Sequence, residues 1–381
     1  MEQTMDVTKR KIIEWLIFVF FVIFPFGQLF RVGILSGLDV TAGLFLVIYL
    51  VTRPKTPIFH KFSRNFFWAA VFSLVMSFFL FASFGALYGG LYLLRLVSYY
   101  ALFVVVWNTG GRIKNKLFGS LLAVSLVVAV FGWIQYFLYP DLTSLKEWGW
   151  DDHLYRLVGT FLDPTFTGII LTFGFLMAVA LYFAKKEKKL LLLALFFLIS
   201  VGFTYSRASY LALLAGSSVI FFLKKSLKGL LLTAAILLVL VFFLPKGVGE
   251  GEKLGRVRSI YARLTNYVET VQIFQKSPIF GVGFNNICLA KQLFLKEINT
   301  ASHACGGSDS SLLLILATTG VVGGFMFARM GLGVAKDIKR NTYGIAFFGC
   351  LAALFVHSLF SNSLFYPWVM GYMAILLAIK E

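Results

Sequence analysis

Arg207 stands in Thr204-Tyr205-Ser206-Arg207-Ala208, between two apolar runs with no polar linker, so its guanidinium belongs at or just below a membrane interface. Arg256, Arg258 and Arg263 follow in one helical pattern: Arg256 and Arg263 are seven apart and share a face, with Arg258 roughly opposite. His303 and Asp309 precede the next apolar run, and Arg156 and Asp163 open an earlier one. A planar Arg fork bonds phosphate oxygens bidentately and stays charged at any ordinary pH. A diphosphate leaving group gains negative charge as a glycosidic bond to it breaks, so Arg clamps stabilise the transition state more than the ground state. Activating an acceptor hydroxyl needs a base, and His303 or Asp309 supplies one. Such a set suits a phosphorylated lipid carrier.

Plainer roles compete for each residue. Arg207 equally suits an interfacial arginine that reaches up to lipid headgroups. The Arg256/Arg263 face suits a solvated or headgroup-binding helix. Asp39 and Arg95 fall inside apolar runs, where an interhelical pair is at least as reasonable as a substrate role. His357 reads as a satisfied core histidine, and Asp151-Asp152-His153 as a solvated turn rather than a metal site.

The elements that must position these groups are membrane helices. Of 381 residues, 59% are hydrophobic and only 14% charged, with mean hydropathy +0.85 and 43 Phe, which excludes a soluble enzyme. Apolar runs long enough to span a bilayer centre on 12–30, 34–52, 66–86, 88–108, 117–139, 165–184, 190–206, 208–223, 229–245, 311–329, 342–361 and 366–380. Short basic stretches alternate with them: Lys9 to Lys11, Arg53 to Arg64, Arg112 to Lys116, Lys185 to Lys189, Lys224 to Lys228, Arg329 to Arg340, and Lys380. All fall on one side if the N-terminus is cytoplasmic. The expected fold is therefore an all-α integral membrane protein with about 12 transmembrane helices, N-in and C-in. Residues 1–381 form one polytopic domain. The net charge of +18 is then a topology and anionic-lipid signal, not a nucleic-acid footprint.

Lys9 to Lys11 and the apolar run behind them resemble a signal peptide, but without an Ala-x-Ala site the run reads as a retained first span. The long outer segment 246–310, between spans 9 and 10, is expected to contribute to the active site and to contain helix. Val257, Tyr261, Leu264, Val268, Val271 and Phe274 recur at helical spacing until Ser277-Pro278 stops them, an amphipathic helix lying near the outer surface. Cys288 and Cys305 share this loop and either pair in an oxidising compartment or remain free thiols. No metal-type spacing of His or Cys is present, so no metal and no cofactor are expected.

Four motifs, in order, resemble the O-antigen ligase and O-antigen polymerase superfamily of bacterial membrane glycosyltransferases. Arg156-Leu-Val-Gly159-Thr160-Phe161-Leu-Asp163-Pro164 is similar to its Arg-x-x-Gly-Thr-Phe-x-Asn-Pro stretch, with Asp163 for Asn. Thr204-Tyr-Ser206-Arg207 is similar to its Thr-x-Ser-Arg. Arg263-Leu264, then Pro278 fifteen residues on and Gly281-Val-Gly283, resembles its Arg-helix-Pro-x-x-Gly-x-Gly element. Gly320-Val-Val-Gly323-Gly324 closes a fourth motif that usually begins with His; here Asp309 holds that place, Ser310 follows, and His303 lies six residues earlier. The resemblance covers about residues 155 to 330.

It implies transfer of an oligosaccharide from a polyprenyl diphosphate donor to a hydroxyl of a glycolipid, a lipid-linked repeat or a protein, without a metal. It also implies a site facing the periplasm across the inner membrane of a bacterium. Arg207 and Arg263 would bind the diphosphate, with Arg156 and Arg258 as second-rank phosphate contacts. His303 is the first choice of base because imidazole titrates near neutrality, and Asp309 is the alternative. A polyprenyl-linked oligosaccharide transporter or flippase competes with this reading, although the sequence displays neither paired repeats nor broken helices. A structural membrane subunit leaves the outer arginines unexplained.

Overall fold

A computed structural model describes residues 7–33, 35–57, 60–81, 88–109, 113–245, 253, 255, 257–296, 305 and 307–379, without the side chains of residues 7–9 and Arg258. The chain begins with α1 (Val7–Ile23), runs through a 3-10 turn (Phe24–Leu29), and makes a small antiparallel hairpin of β1 (Arg31–Val32) and β2 (Leu35–Ser36). There follow α2 (Gly37–Thr52), α3 (His60–Phe81), α4 (Gly89–Asn108), α5 (Lys114–Leu138), α6 (Pro164–Lys185), α7 (Lys188–Phe203), α8 (Arg207–Leu223) and α9 (Leu227–Phe243). The long segment after α9 contains α10 (Arg258–Lys276) and the short α11 (Ile287–Ala290). The chain closes with α12 (Ser311–Lys336), α13 (Thr342–His357) and α14 (Pro367–Ala378).

Six helical stretches among the described residues are long and apolar enough to cross a membrane: Arg10–Leu29, α3, α4, α5, α6 and α12. Shorter apolar helices, including α2, α8, α9, α13 and α14, pack among them. The protein is thus an all-α, multi-pass membrane protein. Large apolar side chains such as Leu50, Phe79, Leu192, Leu232 and Phe242 point outward, which is stable against lipid and costly against water. α6 is the central helix, buried continuously from Thr167 to Ala180 and surrounded by α5, α7, α8 and α13.

Helix starts at the end bearing the long segment are encoded locally. Ser36 and Asp39 form a capping box at α2, Asp163 caps α6 ahead of Pro164, and Ser206 and Ser310 cap α8 and α12. At Asp163, where the resembled pattern has Asn, the carboxylate accepts from the Thr165 and Phe166 N–H groups at 2.6 and 3.1 Å. Several boundaries depart from the hydropathy reading: α1 begins at Val7 rather than near 12, and α12 runs on to Lys336 rather than ending near 329. α3 begins at His60 rather than near 66, and in its first turn Phe62 lies under the Lys61 and Arg329 cations, which extends apolar surface past the charges.

Contrary to the absence of broken helices inferred from sequence, α12 is interrupted. Gly320 has φ +65° and ψ −172°, and the segment Pro278–Gly283 threads into the break. Val282 and Gly283 donate to the Ala317 and Thr318 carbonyls, while Val321 and Val322 donate to those of Pro278 and Ile279, all at 3.0 to 3.2 Å or 2.9 Å. These bonds re-pair backbone groups that the interruption frees. A Cβ on Gly320 would sit 2.1 Å from the Ile279 carbonyl oxygen, and one on Gly281 (φ +73°) 2.3 Å from the Thr318 backbone. Gly320→Ala is accordingly expected to cost at least about 2 kcal/mol through its left-handed backbone and the collision, read as a lower melting temperature in detergent.

Candidate functional site

The site lies where α8, α10 and the segment leading into α12 converge. The α7–α8 junction is only three residues, Thr204 to Ser206, with Tyr205 at φ +49° and its ring buried. The Tyr205 hydroxyl donates to the Pro245 carbonyl at 2.7 Å, tying the junction to the end of α9. Arg207 is the first residue of α8, where the positive end of the helix dipole adds to its own charge. Its Nη2 donates to Ser259 Oγ on α10 at 2.7 Å. Arg263, one turn further along α10, is close enough to Arg207 to repel it electrostatically. Two guanidinium groups from distant parts of the chain thus face one region.

α10 is amphipathic with its faces reversed relative to a soluble helix. Val257 and the helix residues Tyr261, Leu264, Val268 and Val271 are exposed. On the opposite stripe, Ser259, Asn266 and Thr270 hydrogen-bond to polar groups of the protein, and Arg263 lies on the same stripe. Outward apolar residues suit a helix lying on a lipid surface. The Asn266 side-chain oxygen accepts from the Asp309 N–H at 2.8 Å and from Ser308 Oγ at 3.3 Å, and Thr270 Oγ1 donates to Ser308 Oγ at 3.0 Å. Ser310 continues the chain as the cap of α12 and donates to the Ser358 carbonyl. Asp309 is therefore held on a backbone fastened on both sides.

Burial pushes the Asp309 carboxyl above its ordinary value, and Arg263 and then Lys291 pull in the other direction. Lys291 is 2% exposed and pairs with Glu269 at 3.0 Å. Tyr267, beside Arg263, donates its hydroxyl to the Leu359 carbonyl at 2.6 Å, and burial raises its phenol as well.

The other sequence candidates are placed differently. Arg156 is 6% exposed and donates Nε to the Thr204 carbonyl at 3.0 Å and Nη2 to that of Tyr205 at 3.4 Å, so it braces the turn that presents Arg207. Arg258 opens α10. His303 and Arg256 lie outside the described residues. Asp39 and Arg95 form the anticipated interhelical pair at 3.0 Å. His357 is fully buried between Ser363, on Nδ1 at 2.5 Å, and Ser209, on Nε2 at 3.4 Å, a satisfied core histidine. Among the described residues no three His, Cys, Asp or Glu side chains gather as a metal-ligand group.

Sequence reasoning missed Ser259, Asn266 and Lys291. The first two were readable as positions four before and three after Arg263 on a helix whose phase was already assigned. Lys291 was not, since nothing local marks its partner.

Cys288 and Cys305 form a disulfide that closes a loop of sequence separation 17 and contains position 303. By loop-closure entropy the bond is worth about 3 kcal/mol. Cys288→Ser with Cys305→Ser, or dithiothreitol on the natural protein, should lower the unfolding temperature equally, and dithiothreitol should not affect the double variant further.

Together these features define a polytopic membrane protein with paired arginines and a carboxylate at one end of its bundle. Residues 190–328, from α7 into α12, match the family model described as O-antigen ligase. Three of the four motifs fall inside it; the Arg156 motif precedes it. In a comparison with curated proteins, none matches the chain.

Proposed function

We propose that the protein is a membrane glycosyltransferase that moves an oligosaccharide from a polyprenyl diphosphate donor to an acceptor hydroxyl in surface-polysaccharide assembly. The observation that carries this reading is the convergence of Arg207 and Arg263, from α8 and α10, beside the backbone-anchored Asp309. In this reading the chain crosses the bacterial inner membrane twelve times with both termini cytoplasmic, and segment 246–310 covers the site on the periplasmic side. The one-sided basic loops support that orientation.

Arg207 and Arg263 hold the diphosphate. The acceptor oxygen bonds to the anomeric carbon as the bond from that carbon to the diphosphate oxygen breaks. The acceptor's proton passes to Asp309, and polyprenyl diphosphate leaves with its added negative charge on the two guanidinium groups. The raised affinity of buried Asp309 for a proton suits it to this task better than an exposed carboxylate. Arg156 acts as a positioning residue through the 204–206 turn, and Arg258 is assigned to the outer edge of the same phosphate-binding helix. His303 is tested beside Asp309 as the alternative base.

The deciding experiment incubates purified protein in detergent with EDTA and an authentic polyprenyl diphosphate oligosaccharide, with no other acceptor, and resolves products by size. A lengthening ladder, abolished by Arg207→Ala, establishes a metal-independent polymerase. Product formed only after a glycolipid or protein acceptor is added establishes a ligase. No product under any of these conditions sinks the enzymatic reading and favours a transporter.

A further inference from the structure

Two adjacent cavities, of about 550 and 350 Å3, open at the end of the bundle away from Arg207. Leu223, the last residue of α8, marks that end, about 24 Å along the helix axis from Arg207. α8 packs on both α9 and α13 there. The larger cavity lies between α9 and α13 over α8, lined by Leu223, Leu230, Phe348 and the exposed Arg340. The smaller lies between α8 and α9, lined by Phe221, Leu227 and the exposed Lys225. Ser218, Phe222 and Leu230 line both, so the two recesses share a wall that includes Phe222, which is 82% exposed.

Each recess is apolar with one cation in its lining. An apolar hollow on a membrane helix offers water no hydrogen-bond partners and is filled by hydrocarbon instead. A basic pocket between such helices selects among lipids by the charge of the head. The charge here is one-sided: residues 224–228 and 337–341 carry Lys224, Lys225, Lys228, Lys339 and Arg340 against one carboxylate, Asp337. Among the described residues neither Arg340 nor Lys225 is in an ion pair. A zwitterionic head would bring an ammonium into this field, whereas an anionic head brings only a phosphate. Arg340 offers the planar fork that bonds two phosphate oxygens, and Lys225 a compact point charge. Two apolar recesses on a common wall match a lipid with two chains.

We propose that these paired recesses bind one diacyl phospholipid with a net negative head, its phosphate on Arg340, its attraction increased by Lys225, and one chain on either side of Phe222. The site is separate from the arginine pair and does not depend on the transfer reaction. A lipid bound there braces α8, the helix that presents Arg207, against α9 and α13 from its opposite end.

The test reads binding rather than turnover, so it holds or fails independently of the transfer assay. The full-length protein, stripped of lipid in detergent, is titrated with dioleoylphosphatidylglycerol or dioleoylphosphatidylcholine, and lipid adducts are counted by native mass spectrometry. One phosphatidylglycerol should bind at least about tenfold more tightly than phosphatidylcholine. Arg340→Ala should lower that affinity about fivefold, and adding Lys225→Ala should lower it further. Both side chains are exposed, so their loss leaves the core untouched and the readout reports lipid rather than folding. Ser218→Trp or Val219→Trp, whichever retains a sharp thermal transition, should remove the tight adduct by filling a recess with every cation in place. Lys185→Ala with Lys188→Ala, lysines of the same end that line neither recess, should leave binding unchanged. Equal affinity for the two lipids, binding untouched by Arg340→Ala, or an equal loss in the Lys185 and Lys188 control would overturn the proposal. So would a tight adduct that survives the filled recess.

Discussion

Arg207→Ala is expected to lower kcat/KM for transfer from the diphosphate donor by roughly a hundred- to a thousand-fold, the equivalent of about 3–4 kcal/mol from one bidentate charge-assisted contact. The loss should fall mainly on kcat, because the guanidinium meets more charge as the diphosphate departs than when the donor binds. Arg207→Lys should recover only part of it, since an ammonium keeps the charge but not the planar fork. Removing Ser259, the α10 partner of Arg207, should cost far less, because that bond orients the guanidinium without replacing it. Arg263→Ala is expected to match Arg207→Ala, and the double variant to be little worse than either, as for two groups that act on one leaving group. Equal and independent losses from the two would contradict a shared diphosphate.

Asp309→Asn is the second large effect, with kcat expected to fall by roughly 10^2 to 10^4, the usual contribution of general base catalysis. The natural enzyme should lose activity as pH falls through the Asp309 pKa. Because burial raises that value, the acid limb should lie above the ordinary carboxyl range near 3.9. The stability consequence has a definite sign. A carboxyl whose folded pKa is raised stabilises the fold fully below its unfolded pKa, and that contribution is lost as pH rises through the folded value. At neutral pH, Asp309→Asn should therefore be inactive yet at least as heat-stable as the natural protein, which separates loss of chemistry from loss of fold. If His303→Ala abolishes transfer while Asp309→Asn does not, the base is His303 and Asp309 only helps to hold the loop.

Arg156 illustrates how a sequence motif and a structural role can coincide without sharing a mechanism. It stands in the motif that opens α6, and its charge alone would have sent it to the phosphate. In the fold it is buried against the Thr204 and Tyr205 carbonyls, where the last carbonyls of α7 need donors. Its replacement would tilt Arg207 rather than remove a phosphate ligand.

The features legible in the sequence are those decided within one or two helical turns. Apolar runs define membrane helices because an unpaired peptide group in lipid is costly, and this holds wherever the helix packs. Ser36, Asp163, Ser206 and Ser310 cap the helices they precede by hydrogen bonds to their own next turn. The helical phase of Arg258–Lys276 follows from its apolar spacing. The other features required the tertiary structure, because each depends on a partner far away in the chain: Ser259 on Arg207, Asn266 on the Asp309 backbone, Glu269 beside Lys291. The same holds for the break in α12, where Pro278–Gly283 supplies hydrogen bonds to the interrupted backbone. Local sequence sets which groups can donate, accept or carry charge, whereas long-range packing, which excludes water and fixes distances, decides which of them meet.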